Sequence, residues 1–139
     1  MRRLVGSLGV ALLLLSATAA ADDRELVELP EMMATHMLAN MRDHLATINA
    51  IMGHLARQEP EQAADVAEQR LGMSSLELHG AAHMAPFMPA PMRDAGTAMH
   101  HAASRFAQVV VEGDMTRSLA ALEELTGTCV ACHRAYRIR

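Results

Sequence analysis

The only two cysteines of this 139-residue chain lie three positions apart near its end, at Cys129 and Cys132, and His133 follows directly. Side chains three positions apart share one face of a helix, so both thiols can bond to one edge of a flat porphyrin. The imidazole of His133 can then bind the porphyrin iron. This spacing is the attachment motif of a c-type haem. It predicts one covalently bound haem c.

Other uses of two cysteines fit this chain less well. A disulfide between neighbours this close would close a very small loop and would constrain little of the unfolded chain. A thioredoxin-like redox pair requires strands alternating with helices, and the sequence has no clear strand pattern. A zinc site requires further thiolate or imidazole ligands at matched spacing. The haem interpretation is therefore favoured.

The first 21 residues have the pattern of a secretory signal peptide. Two arginines, Arg2 and Arg3, precede the apolar run 4–15, and small residues lead to Ala21. This arrangement predicts cleavage before Asp22 and export to the periplasm. The apolar run is shorter than the ~20 residues that span a bilayer. We therefore expect no stable membrane insertion, and one domain over residues 22–139.

Composition supports a haem protein and argues against a nucleic-acid partner. Aromatic residues make up only 2% of the chain, Trp is absent and there are 12 Met. Leu, Ala and Met must then fill the core, and a buried porphyrin would supply the flat bulk that aromatic side chains usually provide. The net charge of −4 becomes −6 once Arg2 and Arg3 are removed, and no Lys occurs. Such a chain lacks the basic surface that nucleic acids require.

Apolar residues recur at helical spacing through most of the chain. The pattern predicts long helices over residues 30–58, 61–71 and 91–113, and a fourth from the N-cap Asp114 to Tyr136. Between the second and third helices, glycines and prolines leave room only for a short helical piece. Short connections favour antiparallel neighbours. The predicted fold is all-α, an antiparallel up-down four-helix bundle with covalently bound haem c.

The segment Cys129–Arg137 resembles the end of class II cytochromes c, the cytochrome c′ and cytochrome c556 family. That family ends its four-helix bundle with the pattern C-x-x-C-H-x-x-Tyr/Phe-Arg. The resemblance implies that Cys129 and Cys132 form the thioether bonds and that His133 is the proximal iron ligand. It also implies that Arg137 lies close to the proximal histidine.

The family places one residue of the first helix over the distal side of the iron, often four residues after an arginine. No arginine occurs between Arg24 and Arg42, so the apolar stripe must set the register. Counting back along this stripe places Leu38 over the iron, and a shift of about one turn places Met41 there. Three further residues of this helix are candidates: Met33, Met37 and His44.

The distal residue decides the function that the resemblance implies. A sulfur ligand from Met41 would give a six-coordinate haem suited to electron transfer. Leu38 would leave a five-coordinate iron open to NO or CO. The leading prediction is a periplasmic one-electron carrier that serves redox partner proteins. We expect that it is not an enzyme, because no catalytic set of residues is visible. The alternative is a gas binder.

The family often pairs through its first two helices, which allows a homodimer.

A separate hypothesis concerns a second metal. His79 and His83 are four positions apart, and Met84 and Met88 follow. Imidazoles at this spacing on a helix can share one metal ion, and thioethers favour Cu(I). The pair His100-His101 lies further along the chain.

Overall fold

The computed structural model describes residues 22–139, and the predicted signal peptide lies outside them. Within this part of the chain there are five α-helices, two short strands and two 3₁₀ turns. In chain order the elements are β1 (Glu25–Val27), α1 (Glu31–Ala56), α2 (Pro60–Arg70), a 3₁₀ turn (Met73–Ser75), α3 (Ala81–Met84), a second 3₁₀ turn (Ala85–Phe87), α4 (Ala90–Val110), α5 (Met115–Ala135) and β2 (Tyr136–Ile138).

The helices begin and end close to the residues that the sequence indicates. Pro30 precedes α1 and Pro60 opens α2, positions where the missing N–H of proline costs no helical bond. Asp114 caps α5, because its carboxylate accepts a hydrogen bond from the backbone N–H of Arg117 at 3.0 Å. Gly113 takes the left-handed conformation (φ 78°) in the turn before this cap. The all-α class is confirmed.

The four long helices share one main apolar core. Helix α4 packs against both α2 and α5, and α2 packs against α1. Phe106 on α4 is fully buried in this core. The same core contains Ile51 of α1, Leu125 of α5 and Leu71, which follows directly after α2. The backbones of α1 and α5 come close to each other at very few positions. Cys129 near the end of α5 and Ile48 of α1 both pack against this core.

A second apolar cluster includes residues of the two strands, and β2 follows directly after α5. β1 and β2 pair in parallel, with Leu26 opposite Arg137. Val27, Leu29, Met84 and Met92 are buried there, and several partly buried residues pack on them: Met33, Ala34, Met37, Met88, Tyr136 and Ile138. The prediction that helix continues to Tyr136 is wrong, since its backbone is extended (φ −126°, ψ 149°). Pairing with β1 takes this residue out of the helix.

Candidate functional site

Helix α5 presents Cys129 and Cys132 on one side, as the spacing predicts. Both are free thiols and both are partly buried. Burial raises the pKa of each thiol above its ordinary value. Cys129 packs against the main core, and its Sγ lies 3.9 Å from the carbonyl oxygen of Leu125 one turn earlier. His133 is exposed at the end of the same helix, so its imidazole is free to bind a group held by the two sulfurs.

Three imidazoles from separate parts of the chain lie close together in the fold. The His44 ring on α1 lies 4.7 Å from the His79 ring, and the His79 ring lies 5.4 Å from that of His100 on α4. Burial, the largest cause, lowers the pKa of His44 from 6.5 to about 4, together with the charges of His79, His100 and His133. We call His44, His79 and His100 the histidine cluster.

Hydrogen bonds fix one side of the histidine cluster and leave another side open. His100 donates from Nδ1 to the carbonyl oxygen of Leu71 at 2.7 Å. The carbonyl oxygen of His79 accepts bonds from His36 Nε2 at 2.9 Å and from Asn40 Nδ2 at 3.1 Å. In contrast, the Nε2 atoms of His44 and His79 are buried without any hydrogen-bond partner. Buried polar atoms are normally satisfied, so these two nitrogens point to a group that the protein chain itself does not supply.

The candidate distal residues occupy different surroundings on α1. Met41 is partly buried and lies three residues before His44, which puts the two on adjacent parts of one face. Leu38 is 45% exposed. Met33 and Met37 pack in the second cluster, against the end of the chain. Of these candidates, Met41 and His44 are the two that combine partial burial with a place outside the second cluster.

The N-terminal segment contacts the end of α5, which the sequence reasoning missed. Arg24 donates from Nη1 to the carbonyl oxygen of His133 at 3.4 Å, and it also pairs with Asp22. The hydrogen bond from Arg24 is the main reason that the pKa of Asp22 falls to about 2. Arg137 points its Nε to within 3.5 Å of the Asp22 carboxylate, without hydrogen-bond geometry. The alternation of apolar and polar residues in Tyr136–Ile138 is a weak sign of a strand, but nothing in it indicates the partner.

Comparison with known families concerns the same end of the molecule. The family model described as Cytochrome C' matches residues 88–137. This match supports a class II cytochrome c family. The match covers α4, α5 and the chain up to Arg137, whereas α1 with its distal candidates lies outside it. No curated protein and no solved structure matches the chain.

The match to the cytochrome c′ family model implies a haem cofactor, and the residues present fit one. Two free, partly buried thiols lie on one helix with an exposed imidazole next to them. On α1, His44 keeps a buried Nε2 without a partner. The end of α5 therefore carries two thiols and an imidazole that could hold a haem.

The helical histidine pair predicted for a second metal does not form. Gly80 takes the left-handed conformation (φ 61°), so α3 starts only at Ala81. His79 is buried in the histidine cluster while His83 is exposed on α3. Across residues 22–139, no three or more His, Cys, Asp or Glu side chains are grouped to hold a metal ion.

In the same range, no helix combines the length and the apolar character needed to cross a membrane.

Proposed function

We propose that this protein is an exported c-type cytochrome that carries single electrons between redox partner proteins in the periplasm and is not an enzyme. Residues 1–21 act as the signal peptide, and α1, α2, α4 and α5 form an antiparallel up-down four-helix bundle. One haem c is held by Cys129 and Cys132, with His133 as an iron ligand. The observation that supports the proposal is that these three residues lie together at the end of α5, with both thiols free and partly buried.

When bound, the haem supplies an Fe(II)/Fe(III) couple that takes up or releases one electron. The protein's own residues set the conditions for this exchange. Cys129 and Cys132 anchor the group, and Leu125 and Ile48 line the apolar core beside Cys129. The ladder between β1 and β2 and the bond from Arg24 to the His133 carbonyl hold the end of α5 in place. These contacts limit how far the end of α5 rearranges when the charge of the iron changes.

Met41 is the proposed distal ligand. An α-helix turns by about 100° per residue, so Met41 lies about 60° from His44 around α1, whereas Leu38 lies about 120° from it. His44 keeps a buried Nε2 without a hydrogen-bond partner, and we propose that its face of α1 lies over the iron. The thioether of Met41 is then better directed to the iron than the side chain of Leu38. A sulfur ligand would make the iron six-coordinate, which supports electron transfer rather than the alternative function of binding NO or CO.

Optical spectra of the purified reduced protein, with and without CO, test this proposal. We expect a low-spin spectrum that CO leaves unchanged, and a Met41→Ala variant that becomes high-spin and binds CO. Met115→Leu, which removes an exposed methionine at the start of α5, is the matched control and should behave as the wild type. A wild-type spectrum that is already high-spin and responds to CO would reject Met41 ligation and favour the gas binder.

Two further measurements address haem attachment and export. Replacing both cysteines, Cys129→Ser and Cys132→Ser, should abolish covalent haem in the intact-mass spectrum. The mature protein recovered from the periplasm should begin at Asp22. Covalent haem that persists in the double variant, or an uncleaved N-terminus on cytoplasmic protein, would contradict these parts of the proposal.

We also propose that two copies pair through α1. Three exposed apolar residues recur there at intervals of seven: Leu38 (45%), Leu45 (73%) and Met52 (49%). Side chains seven apart form one stripe along a helix, as at the seam of a coiled coil. Leu45→Glu should convert a dimer to a monomer in light scattering, while Leu119→Glu on α5 should not. A wild-type protein that is monomeric at high concentration would refute the pairing.

A further inference from the structure

A small cavity lies between the start of α1 and α3, and two of its lining residues, Met33 and Met84, pack in the second apolar cluster. Its volume is about 240 Å³, and its lining residues are Met32, Met33, His36, Gly80, His83 and Met84. The lining supplies three thioether sulfurs and two imidazoles, and it contains no carboxylate. We call it the methionine cavity. Sulfur and imidazole donors without carboxylates suit Cu(I) and exclude hard cations such as Mg²⁺ or Ca²⁺.

His36 is already oriented as a metal ligand. Its Nε2 lies 2.9 Å from the carbonyl oxygen of His79. A carbonyl oxygen can only accept, so Nε2 carries the proton and the lone pair of the neutral ring is on Nδ1. Metal-binding histidines are commonly held in this way, with one ring nitrogen donating to a backbone carbonyl. Because Asn40 binds the same carbonyl at 3.1 Å, that carbonyl is itself held in place.

Gly80 allows His36 to occupy this position. A Cβ atom at residue 80 would lie 3.0 Å from His36 Nε2, and the backbone there has φ 61°. Only glycine combines that backbone conformation with such close approach at low cost. The left-handed turn thus brings α3, with His83 and Met84, up to the imidazole ring on α1.

The donors differ in exposure in a way that suits entry and exchange of an ion. Met84 is 3% exposed and forms the floor of the cavity, whereas Met32 is 74% exposed at its rim. His83 is exposed on the same side. Methionine has a flexible, unbranched side chain, so Met32 can swing over an ion that Met84 and His36 already hold.

We propose that the methionine cavity binds one Cu(I) ion, with Met84 and His36 as fixed donors and with Met32 and His83 closing the site. Met33, partly buried beside them, supplies the remaining thioether of the lining. None of these residues belongs to the haem motif. Copper binding at this site can therefore be tested separately from the assignment of Met41 as an iron ligand.

The test is an anaerobic titration of the purified full-length protein, with its haem reduced, in competition with bicinchoninate as the Cu(I) chelator. We expect one equivalent of Cu(I) to be withdrawn from the chelator, with the haem spectrum unchanged. The double variant Met32→Leu/His83→Ala removes only exposed side chains and should keep the fold. It should bind Cu(I) at least tenfold more weakly.

The matched control is Met115→Leu/His101→Ala, which removes an exposed methionine and an exposed histidine elsewhere and should bind as the wild type does. Circular dichroism of each variant reports whether the fold is kept. Failure of the wild type to compete with the chelator would overturn the proposal. So would equal losses in the two double variants, or Cu(I) affinity that the cavity variant leaves unaltered.

Discussion

Acidification should weaken this protein through His44, and a substitution there should isolate the effect. Burial lowers the pKa of His44 to about 4 in the folded protein, against an ordinary value of 6.5. Between these values the unfolded chain binds a proton that the folded protein excludes. By linkage, the contribution of His44 is fully present above about pH 6.5 and is lost as the pH falls toward 4.

The magnitude follows from the two pKa values. One pKa unit corresponds to about 1.4 kcal/mol, so lowering the pH from 7 to 5 should reduce the unfolding free energy by about 2 kcal/mol through His44 alone. Burial shifts the pKa of His79 in the same direction, so its contribution has the same sign. Against a total stability of about 5–15 kcal/mol, the loss is large enough to measure.

The assay is urea unfolding followed by far-ultraviolet circular dichroism at pH 7 and at pH 5, for the wild type and for His44→Gln. Comparing the two proteins cancels the pH effects of all other groups. The wild type should lose about 2 kcal/mol more than the variant between the two pH values. Parallel pH dependence in the two proteins would show that His44 titrates alike folded and unfolded, and would refute the reasoning from its burial.

Three further predictions concern stability and can be checked by the same unfolding measurement. Phe106→Ala should cost about 3–5 kcal/mol, because the ring is fully buried at the centre of the main core; a loss below 1 kcal/mol would contradict that packing. Asp114→Ala should cost about 1 kcal/mol by removing the cap of α5, and Asp114→Asn should restore most of it. Gly80→Ala should cost about 1–2 kcal/mol because of its positive φ, whereas Gly96→Ala inside α4, where a Cβ meets no atom within 4 Å, should stabilise by about 0.5–1 kcal/mol. Equal effects at the two glycines would contradict the conformational argument.

Local chemistry explains why most of the helices could be predicted. Pro30, Pro60 and Asp114 mark helix starts through properties of single residues: a missing N–H or a capping carboxylate. Gly80 likewise indicated a break in any helix between α2 and α4, but it did not indicate where the chain runs after that break. The thiols of Cys129 and Cys132 share a helix face because their spacing alone requires it.

Contacts between distant segments could not be predicted in the same way. Tyr136 continues the apolar spacing of α5, yet it pairs with Glu25 at the other end of the described chain. Local periodicity carries no information about a strand that arrives from so far away. The histidine cluster draws His44, His79 and His100 from separate elements for the same reason, and their spacing in sequence is irregular.

The haem-binding end of the molecule illustrates the division between sequence and tertiary structure. The types and order of Cys129, Cys132 and His133 by themselves determined that a haem can be held, because the chemistry depends on residues within one helical turn. Packing alone decided how α1 is rotated: it partly buries Met41 and His44 and leaves Leu38 45% exposed. The rotation of a helix about its axis depends on every neighbour it contacts, and no local stretch of sequence records it.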